Sequence, residues 1–493
     1  MADIAVIGAG YVGLTLAVGA ASMGHDVTVG EADAERVADL TKGHCPLFEA
    51  GVGDLLREGL ASGRLTFTTS NTDAVTAAEF VFLSLPTPSS ADGSADLSVL
   101  HAVVDELAPH LGERVLVLKS TVPVGTNRDV TASLRAAGCP APVVSNPEFL
   151  REGTALADFM SPDHVVVGGD DPEAVTQVGA LFDSDCPVTS TDPMSAELVK
   201  YATNAYLATR VMMANSFADL CEALGADIEA VTTGLGRDHR IGPHFLQPGP
   251  GFGGSCFPKD ARALLDLAAD HGLEVPILAA AVKVNADRQV RMAEAVLAEV
   301  AGVFEPVVGL WGLAFKAGTD DTRESPALNI GELIAARGAT VQAYDPEASV
   351  GGTDGGQANP LTPCDSALNA ATGADVLVVA TEWPEFADED LTEVADAMRG
   401  DLVMDLRNLL DPEAVSASRA GSRPTPQTDR QAGTGIGAVP TEDSGRRGAW
   451  PPGGPWLLSP GSAPRLLTEG PSVPARWPGR PLAGGVPGRS GRR

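Results

Sequence analysis

Short apolar runs at 4–7, 25–29, 80–85, 115–118, 142–144 and 164–167 alternate with segments whose apolar residues recur at i, i+3 and i+4. A chain patterned this way buries itself best as a parallel sheet covered by helices on both faces. The texture changes near residue 194. From there to about 225 the pattern is helical throughout, with Ala196, Leu198, Val199, Tyr201, Ala202, Ala205 and Tyr206. A Gly/Pro-rich loop covers 234–258, and another long helical segment covers 276–301. Strand–helix alternation then resumes, with runs at 307–310, 340–344, 376–380 and 402–405 and a helix near 325–337. The expected fold is α/β. Two parallel-sheet domains, 1–193 and 302–414, are bridged by a central helical domain, 194–301.

The end of the chain differs in kind. Periodicity vanishes from about 415, and the stretch from 421 holds ten Arg, no Lys and four acids. It is dense in Pro and Gly and carries Trp450, Trp456 and Trp477. Such composition predicts a disordered C-terminal tail over 415–493. It reads either as a basic interaction tail or as a frameshifted terminus, because GC-rich codons out of frame yield the same residues. The second reading is preferred.

The whole chain of 493 residues carries a formal charge of −31. Nucleic acid and anionic membranes are poor partners for such a surface, and neither is expected. An anionic substrate needs cations placed against it. Lysine is scarce: Lys42, Lys119, Lys200, Lys259, Lys283 and Lys316 are all there are. That bias fits either a high-salt cytoplasm or GC-rich codons favouring Arg, and in both cases a retained lysine marks a position that needs one. Met1-Ala2-Asp3-Ile4 runs into a strand pattern with no basic leader, and no apolar run reaches 18 residues. Six widely spaced cysteines without a C-x-x-C pair argue for a cytoplasmic setting with neither disulfide framework nor metal site.

Gly8-Ala9-Gly10-Tyr11-Val12-Gly13 follows the first strand pattern and opens a helix. This is G-x-G-x-x-G in the context that a Rossmann-like domain requires, with the pyrophosphate of a dinucleotide facing the helix N-terminus. Glu31 closes the second strand, where a carboxylate accepts ribose hydroxyls and repels a 2′-phosphate. The cofactor expected is therefore NAD, not NADP. Arg36 faces either the adenosine end or solvent. Pro86-Thr87-Pro88 and Lys119-Ser120-Thr121-Val122-Pro123 sit at strand C-termini, where open α/β sheets bind ligands. Thr87 and Thr121 are candidates there, with ordinary turn chemistry as the alternative.

The stretch from Gly249 to Asp260, G-P-G-F-G-G-S-C-F-P-K-D, strips side chains from a loop that ends in Cys256. Glycines let backbone and substrate approach, and a nearby cation favours the thiolate, the nucleophilic form. Lys200 and Asn204 share one helix face at i, i+4. Glu197, three residues earlier, offers a surface partner for Lys200 as the bland alternative. Asn146-Pro147-Glu148-Phe149-Leu150-Arg151-Glu152 follows another strand end and offers two carboxylates.

With these residues assembled, the chain resembles the UDP-glucose/GDP-mannose dehydrogenase family from about residue 1 to 411. The motifs are G-A-G-Y-V-G, P-T-P, K-S-T-V-P-V-G-T, N-P-E-F-L-R-E-G, K-Y-A-T-N, G-F-G-G-S-C-F-P-K-D and F-K-A-G-T-D-D-T-R-E-S-P. Their forms, and the stretch at 91–98, look more like the UDP-glucose 6-dehydrogenase branch than the GDP-mannose or UDP-N-acetylmannosamine branches. The resemblance implies NAD-dependent oxidation of a UDP-sugar in two steps through a cysteine thioester. Cys256 is then the nucleophile, Glu148 activates water, Lys200 and Asn204 stabilise the oxyanion, and Asp260 with Lys200 handles the first alcohol's proton. Thr121 lies near cofactor and reacting carbon. Glu152 and Arg323 join the glycine loop, Glu31, Arg36, Thr87 and Thr121 in contacting NAD. The UDP-sugar is held by Glu148, Phe149, Leu150, Lys200, Asn204, Phe245, Gln247, Gly251, Phe252, Gly253, Lys316 and Arg407. The resemblance also implies a homodimer through the central helices, with Arg240 reaching the neighbour's substrate.

Two positions depart from the family. His164 stands where Arg is common, and His244 replaces a frequent basic residue. Two rivals remain: a two-electron β-hydroxyacid dehydrogenase, which has no need of Cys256 or a second α/β domain, and a non-catalytic nucleotide-binding paralogue, which has no need of Cys256, Lys200, Asn204, Glu148 and Asp260 together.

Overall fold

Strand β1 (Asp3–Ile7) sends Ile4 and Val6 into one apolar cluster and Ala5 and Ile7 into another. Both its faces are covered, which is why its sequence reads as a continuous apolar run. Around it a computed structural model, describing residues 1–88, 95–182, 185–350 and 359–422, builds an eight-stranded sheet. The further strands are β2 (Asp26–Gly30), β3 (Leu65–Thr68), β4 (Phe80–Leu83), β5 (Val115–Leu118), β6 (Val143–Ser145), β7 (Val165–Gly169) and β8 (Val188–Thr191). Their order is β3-β2-β1-β4-β5-β6-β7-β8. All pairs are parallel except β6 with β7, which run antiparallel through Val144 opposite Gly169. β3 and β8 were not anticipated from sequence.

A second, five-stranded sheet contains β9 (Val307–Trp311), β10 (Thr340–Tyr344), β11 (Thr362–Pro363), β12 (Val376–Val379) and β13 (Leu402–Asp405). Its order is β11-β10-β9-β12-β13, and every pair is parallel. The two-residue β11 is another strand that the sequence does not announce. Trp311 lies at 0% exposure in this core, stacked 5.1 Å from Phe386, with its indole N–H donated to Ala367 O.

Between the sheets stand four helices, the shortest of them Ile228–Gly236. The long helix Pro193–Leu224 starts on Asp192, whose side chain accepts from Ser195 N, and ends on Gly225 at φ 69°. Proline in its first turn and glycine past its end are the expected punctuation. Helix Phe257–Asp270 packs against it and starts at Cys256 itself, which occupies the N-cap position. Helix Pro276–Glu299 packs against the long helix and against helix Pro326–Ala335 of the second sheet. The final helix, Pro412–Ser422, runs past position 415, where periodicity gives out. The described residues all lie in the compact unit Met1–Val439. The tail from 423 and residues 91–94 of the 91–98 stretch lie outside them. Among the described residues no helix is long and apolar enough to cross a membrane, and no cluster of three or more His, Cys, Asp or Glu is placed to hold a metal.

Candidate active site

The glycine loop after β1 is built by close contacts. A Cβ on Gly8, at φ 99°, would sit 2.5 Å from Ser84 O, and one on Gly13 would sit 2.0 Å from Gly8 O. Neither position admits a side chain. A Cβ on Gly10 would meet nothing within 4 Å, so that side of the turn stays open. Helix Tyr11–Ser22 begins there with no side-chain cap, leaving its first N–H groups for an anion. Glu31, just past β2, accepts from Ala9 N at 2.9 Å and from Asp33 N at 3.0 Å. Its carboxylate is thereby fixed at the mouth of the loop. These features fit a dinucleotide.

Other predicted cofactor residues sort differently. Thr87 Oγ1 donates to Thr121 O at 2.9 Å, so the two proline-stiffened strand ends meet. Thr121 and Lys200 line one narrow cavity with Pro147 and Glu197. Arg36 is exposed on helix Ala34–Thr41. The Tyr11 hydroxyl donates to Glu49 and accepts from Gly153 N at 3.0 Å, tying the glycine loop to the segment that carries Glu148 and Glu152. Burial and Glu49 push that phenol well above its ordinary pKa.

Cys256 stands where the central helices meet both sheets' loops. Lys200 Nζ, 4% exposed, lies 2.8 Å from Glu148 Oε1, and Glu148 Oε2 accepts from Leu150 N at 2.7 Å. Burial opposes both charges, yet each partner overrides it, holding the Glu148 carboxyl below its usual range and the Lys200 ammonium above. Asp260, fully buried, accepts from Asn204 Nδ2 at 2.6 Å and lies 2.9 Å from Lys259 Nζ. Lys200 and Arg323 act on the thiol, while Lys259, nearer in sequence, pairs with Asp260. Burial and the Glu148 charge push the Cys256 thiol up, and Lys200 draws it down. Glu197 does not pair with Lys200. It turns to the first sheet, accepting from Gly125 N at 2.6 Å and Asn127 N at 2.8 Å at the start of helix Thr126–Ala136. His164 packs tilted against Phe149 with ring centroids 4.6 Å apart, and Lys200 Nζ lies over that same Phe149 ring at 5.5 Å.

The glycine-rich loop before Cys256 is fastened from behind. Asn285 accepts from Phe252 N at 2.8 Å and donates to Phe252 O at 3.0 Å. Arg288 donates to Gly249 O at 2.7 Å, and Gly249 N donates to Asn215 at 2.8 Å. A Cβ on Gly251, at φ 140°, would come 2.4 Å from Asn285 Oδ1, and one on Gly253 would come 2.3 Å from Glu324 O. Arg407 lies against Gly249, donates to Ala380 O and Phe315 O at 2.9 Å, and pairs with Glu382 at 3.0 Å. Lys316 sits 5.8 Å above the Phe315 ring, its pKa lowered by burial. Phe245 adopts φ 59° and packs 6.1 Å from Phe257. Gln247 and His244 are exposed. Arg240, with a side chain 77% exposed, pairs with Asp238 at 2.6 Å.

Ser255 and Thr319 were not singled out from sequence, and both meet Glu152, which was. Ser255 Oγ lies 3.5 Å from Cys256 Sγ and donates to Glu152 Oε1 at 3.2 Å. Glu152 Oε2 accepts from Thr319 Oγ1 at 3.2 Å, and Arg323, paired with Asp321, lies 3.8 Å from Oε1. Lys119 is buried and donates to Asn146 at 3.0 Å; burial lowers its pKa to about 8. The signal for Asn285, Arg288 and Gln289 was present: three polar residues on the buried stripe of helix Pro276–Glu299.

Residues 2–184 match the NAD binding domain of the UDP-glucose/GDP-mannose dehydrogenase family, 194–287 its central domain and 309–412 its UDP binding domain. A UDP-glucose 6-dehydrogenase of Rhizobium meliloti is 42% identical over 84% of this chain and 97% of its own. A UDP-glucose dehydrogenase structure from Pyrobaculum islandicum superposes with a TM-score of 0.76 at 37% identity, covering 83% of this chain and 94% of that one. A UDP-D-ManNAc dehydrogenase structure from Pyrococcus horikoshii gives 0.74 at 27% identity, covering 83% and 96%. Three domains in order, an NAD-type glycine turn and a cysteine set between them all point the same way: this chain belongs to the UDP-glucose/GDP-mannose dehydrogenase family.

Proposed function

We propose that this chain oxidises the C6 primary alcohol of UDP-glucose to a carboxylate, using two NAD and a thioester on Cys256. The observation that carries this reading is the buried Lys200–Glu148 pair at 2.8 Å beside Cys256, with Asp260 and Asn204 joined at 2.6 Å in the same group. NAD, held by the glycine turn and Glu31, supplies the hydride acceptor. Asp260, with Lys200, takes the proton of the alcohol as the first hydride leaves. Cys256 Sγ then bonds to the aldehyde carbon, and the Lys200 ammonium with the Asn204 amide receives the oxyanion. Preorganised donors of this kind are worth roughly 3–4 kcal/mol each. Loss of the second hydride leaves the thioester. Glu148, ionised by its lysine, takes a proton from the water that cleaves it. Thr121 positions the reacting carbon. Arg323, Thr87 and Glu152 support the cofactor end.

The UDP-sugar lies against Phe149, Leu150 and the 245–253 loop, with Lys316 and Arg407 facing its diphosphate. A second copy completes the assembly through the long helix. That helix exposes Tyr206 at 68%, Met213 at 55%, Leu220 at 54% and Leu224 at 71%, an apolar stripe on a chain charged elsewhere. Arg240 of each copy then serves its neighbour's sugar. Six widely spaced cysteines without a C-x-x-C pair favour a cytoplasmic setting.

The test is a panel of UDP- and GDP-sugars with NAD, followed at the absorbance of NADH across salt concentrations. UDP-glucose is expected to give two NADH per sugar and a uronate, and Cys256→Ala none of the acid. One NADH per sugar, or acid from the variant, defeats the thioester. Leu220→Asp is expected to shift sedimentation from dimer to monomer; an unchanged dimer excludes this helix as the interface.

A further inference from the structure

We propose that Ser255 and Glu152 form a proton relay that strips the Cys256 thiol before sulfur attacks; this rests on reading Cys256 as the nucleophile. The thiol is buried beside a carboxylate, so ionising it without a nearby acceptor is costly. Glu148 must stay ionised for the later water, and its oxygens face Lys200 and the Leu150 N–H. Asp260, which faces Asn204 and Lys259, is kept for the proton of the alcohol. Ser255 Oγ, 3.5 Å from Sγ, is the hydrogen-bonding neighbour, and its own proton points to Glu152 Oε1 at 3.2 Å. With that proton committed to Glu152, the hydroxyl oxygen offers a lone pair to S–H. Sulfur, hydroxyl and carboxylate thus stand in donor–acceptor order.

The far end of the line is built to hold still and to accept. Thr319 fixes the second Glu152 oxygen at 3.2 Å, and Arg323 stands 3.8 Å from the first. Burial and Asp321 raise the Glu152 pKa, which makes this carboxylate a stronger proton acceptor than a solvated one. Other charges face the two ends. Glu148, Lys200, Asp260 and Arg323 act on the thiol, and Asp321, Arg323, Lys316 and the Tyr11 phenol act around Glu152.

The steps balance. As the S–C bond forms, the thiol proton passes to Oγ and the Oγ proton passes to Glu152. The carbonyl π pair moves to oxygen, which takes a proton from Lys200. Loss of the second hydride returns that proton to Lys200. Hydrolysis breaks the C–S bond with its electron pair going to sulfur, and the proton stored on Glu152 travels back.

A thiolate paired with a protonated Glu152 contains as many protons as a thiol paired with its carboxylate. Its fraction is therefore independent of pH between the titration of Glu152 and that of the thiol. The experiment alkylates the cofactor-free enzyme with iodoacetamide from about pH 5.5 to about pH 9 and follows the Cys256 peptide by mass spectrometry. Wild type and Ser255→Thr are expected to keep a flat floor of reactivity on the acid side. In Glu152→Gln and Ser255→Ala the floor is lost, and the rate falls about tenfold per pH unit. A floor that survives in both variants, or is missing from wild type, overturns the relay. Acid production by Cys256→Ala is measured separately. Acid from that variant sinks the thioester reading, whereas an inactive variant beside a wild type with no floor sinks the relay alone.

Discussion

β1 and β9 hold the same place in sheets whose first five strands share one order, and each ends in a glycine, Gly8 at φ 99° and Gly312 at φ 100°. Each glycine N–H donates at 2.8 Å to the end of the neighbouring strand, Gly8 to Gly30 O and Gly312 to Tyr344 O. Each next residue donates to a carboxylate that closes that strand, Ala9 to Glu31 at 2.9 Å and Leu313 to Asp345 at 2.7 Å. There the likeness stops. Glu31 is half-buried at an open mouth, and a helix follows at once from Tyr11. Asp345 is 7% exposed and takes Leu313 N, Ala314 N, Trp383 Nε1, Glu347 N and Ala348 N. Its helix waits until Pro326, and the intervening chain carries Lys316, Thr319 and Arg323 toward the thiol. One backbone turn thus serves a ligand where its carboxylate keeps lone pairs to spare, and clamps a loop where it does not.

The largest expected effect separates the two carboxylates by what they hold. Asp345→Ala strands several buried donors and is expected to cost about 3 kcal/mol or more of unfolding free energy in denaturant titration. A loss under about 1 kcal/mol would mean the second turn is not a clamp. Next comes Gly312→Ala, whose Cβ would sit 2.4 Å from Thr381 Cβ at a left-handed φ. It is expected to cost about 1–3 kcal/mol in the same titration with NAD affinity unchanged. Glu31→Ala is the mirror case: NAD binding by calorimetry weakens about tenfold, near 1.4 kcal/mol, while stability moves little. An unfolding loss as large as that of Asp345→Ala would erase the distinction.

A smaller contrast lies in acid. The folded pKa of Glu148 is depressed, so its contribution is present above the unfolded value and lost as pH falls through the folded one. Asp405, at the end of β13, is raised by burial, so ionising it opposes folding and protonation below its folded value relieves that opposition. Each pKa unit corresponds to about 1.4 kcal/mol. Hydrogen exchange at about pH 6 and about pH 4 is expected to show protection lost around β6 and retained or gained around β13. Equal loss in both places would remove the contrast.

Most of the first sheet was legible because its buried parallel strands are long enough to read as apolar runs. β3, β8 and β11 were not, since Leu65–Thr68, Val188–Thr191 and Thr362–Pro363 are edge or near-edge strands with exposed positions and little apolar pattern. Cys256, Lys200, Asn204, Asp260 and Glu148 announced themselves through motif spacing, and the fold gathers them. What spacing does not carry is partnership. Lys259 adjoins the thiol in sequence, but the helix starting at Cys256 turns it to Asp260. Glu197 sits one turn from Lys200 yet faces the start of helix Thr126–Ala136. Ser255 reads as one more small loop residue until Glu152, 103 positions away, arrives beside it.

Glu197, Lys200 and Asn204 ride on one stripe of the long helix and hold three different neighbours: the start of helix Thr126–Ala136, Glu148 and Asp260. They are geared together. A roll of about 10° about that axis would carry each side-chain tip by about 1 Å. A shift of that size at reacting groups is enough to cost about a hundredfold in rate. Whatever grips the outer face of this rod is therefore expected to alter the rate of the chemistry proposed for its inner face, a change that turnover of an outer-face variant such as Leu220→Asp would reveal.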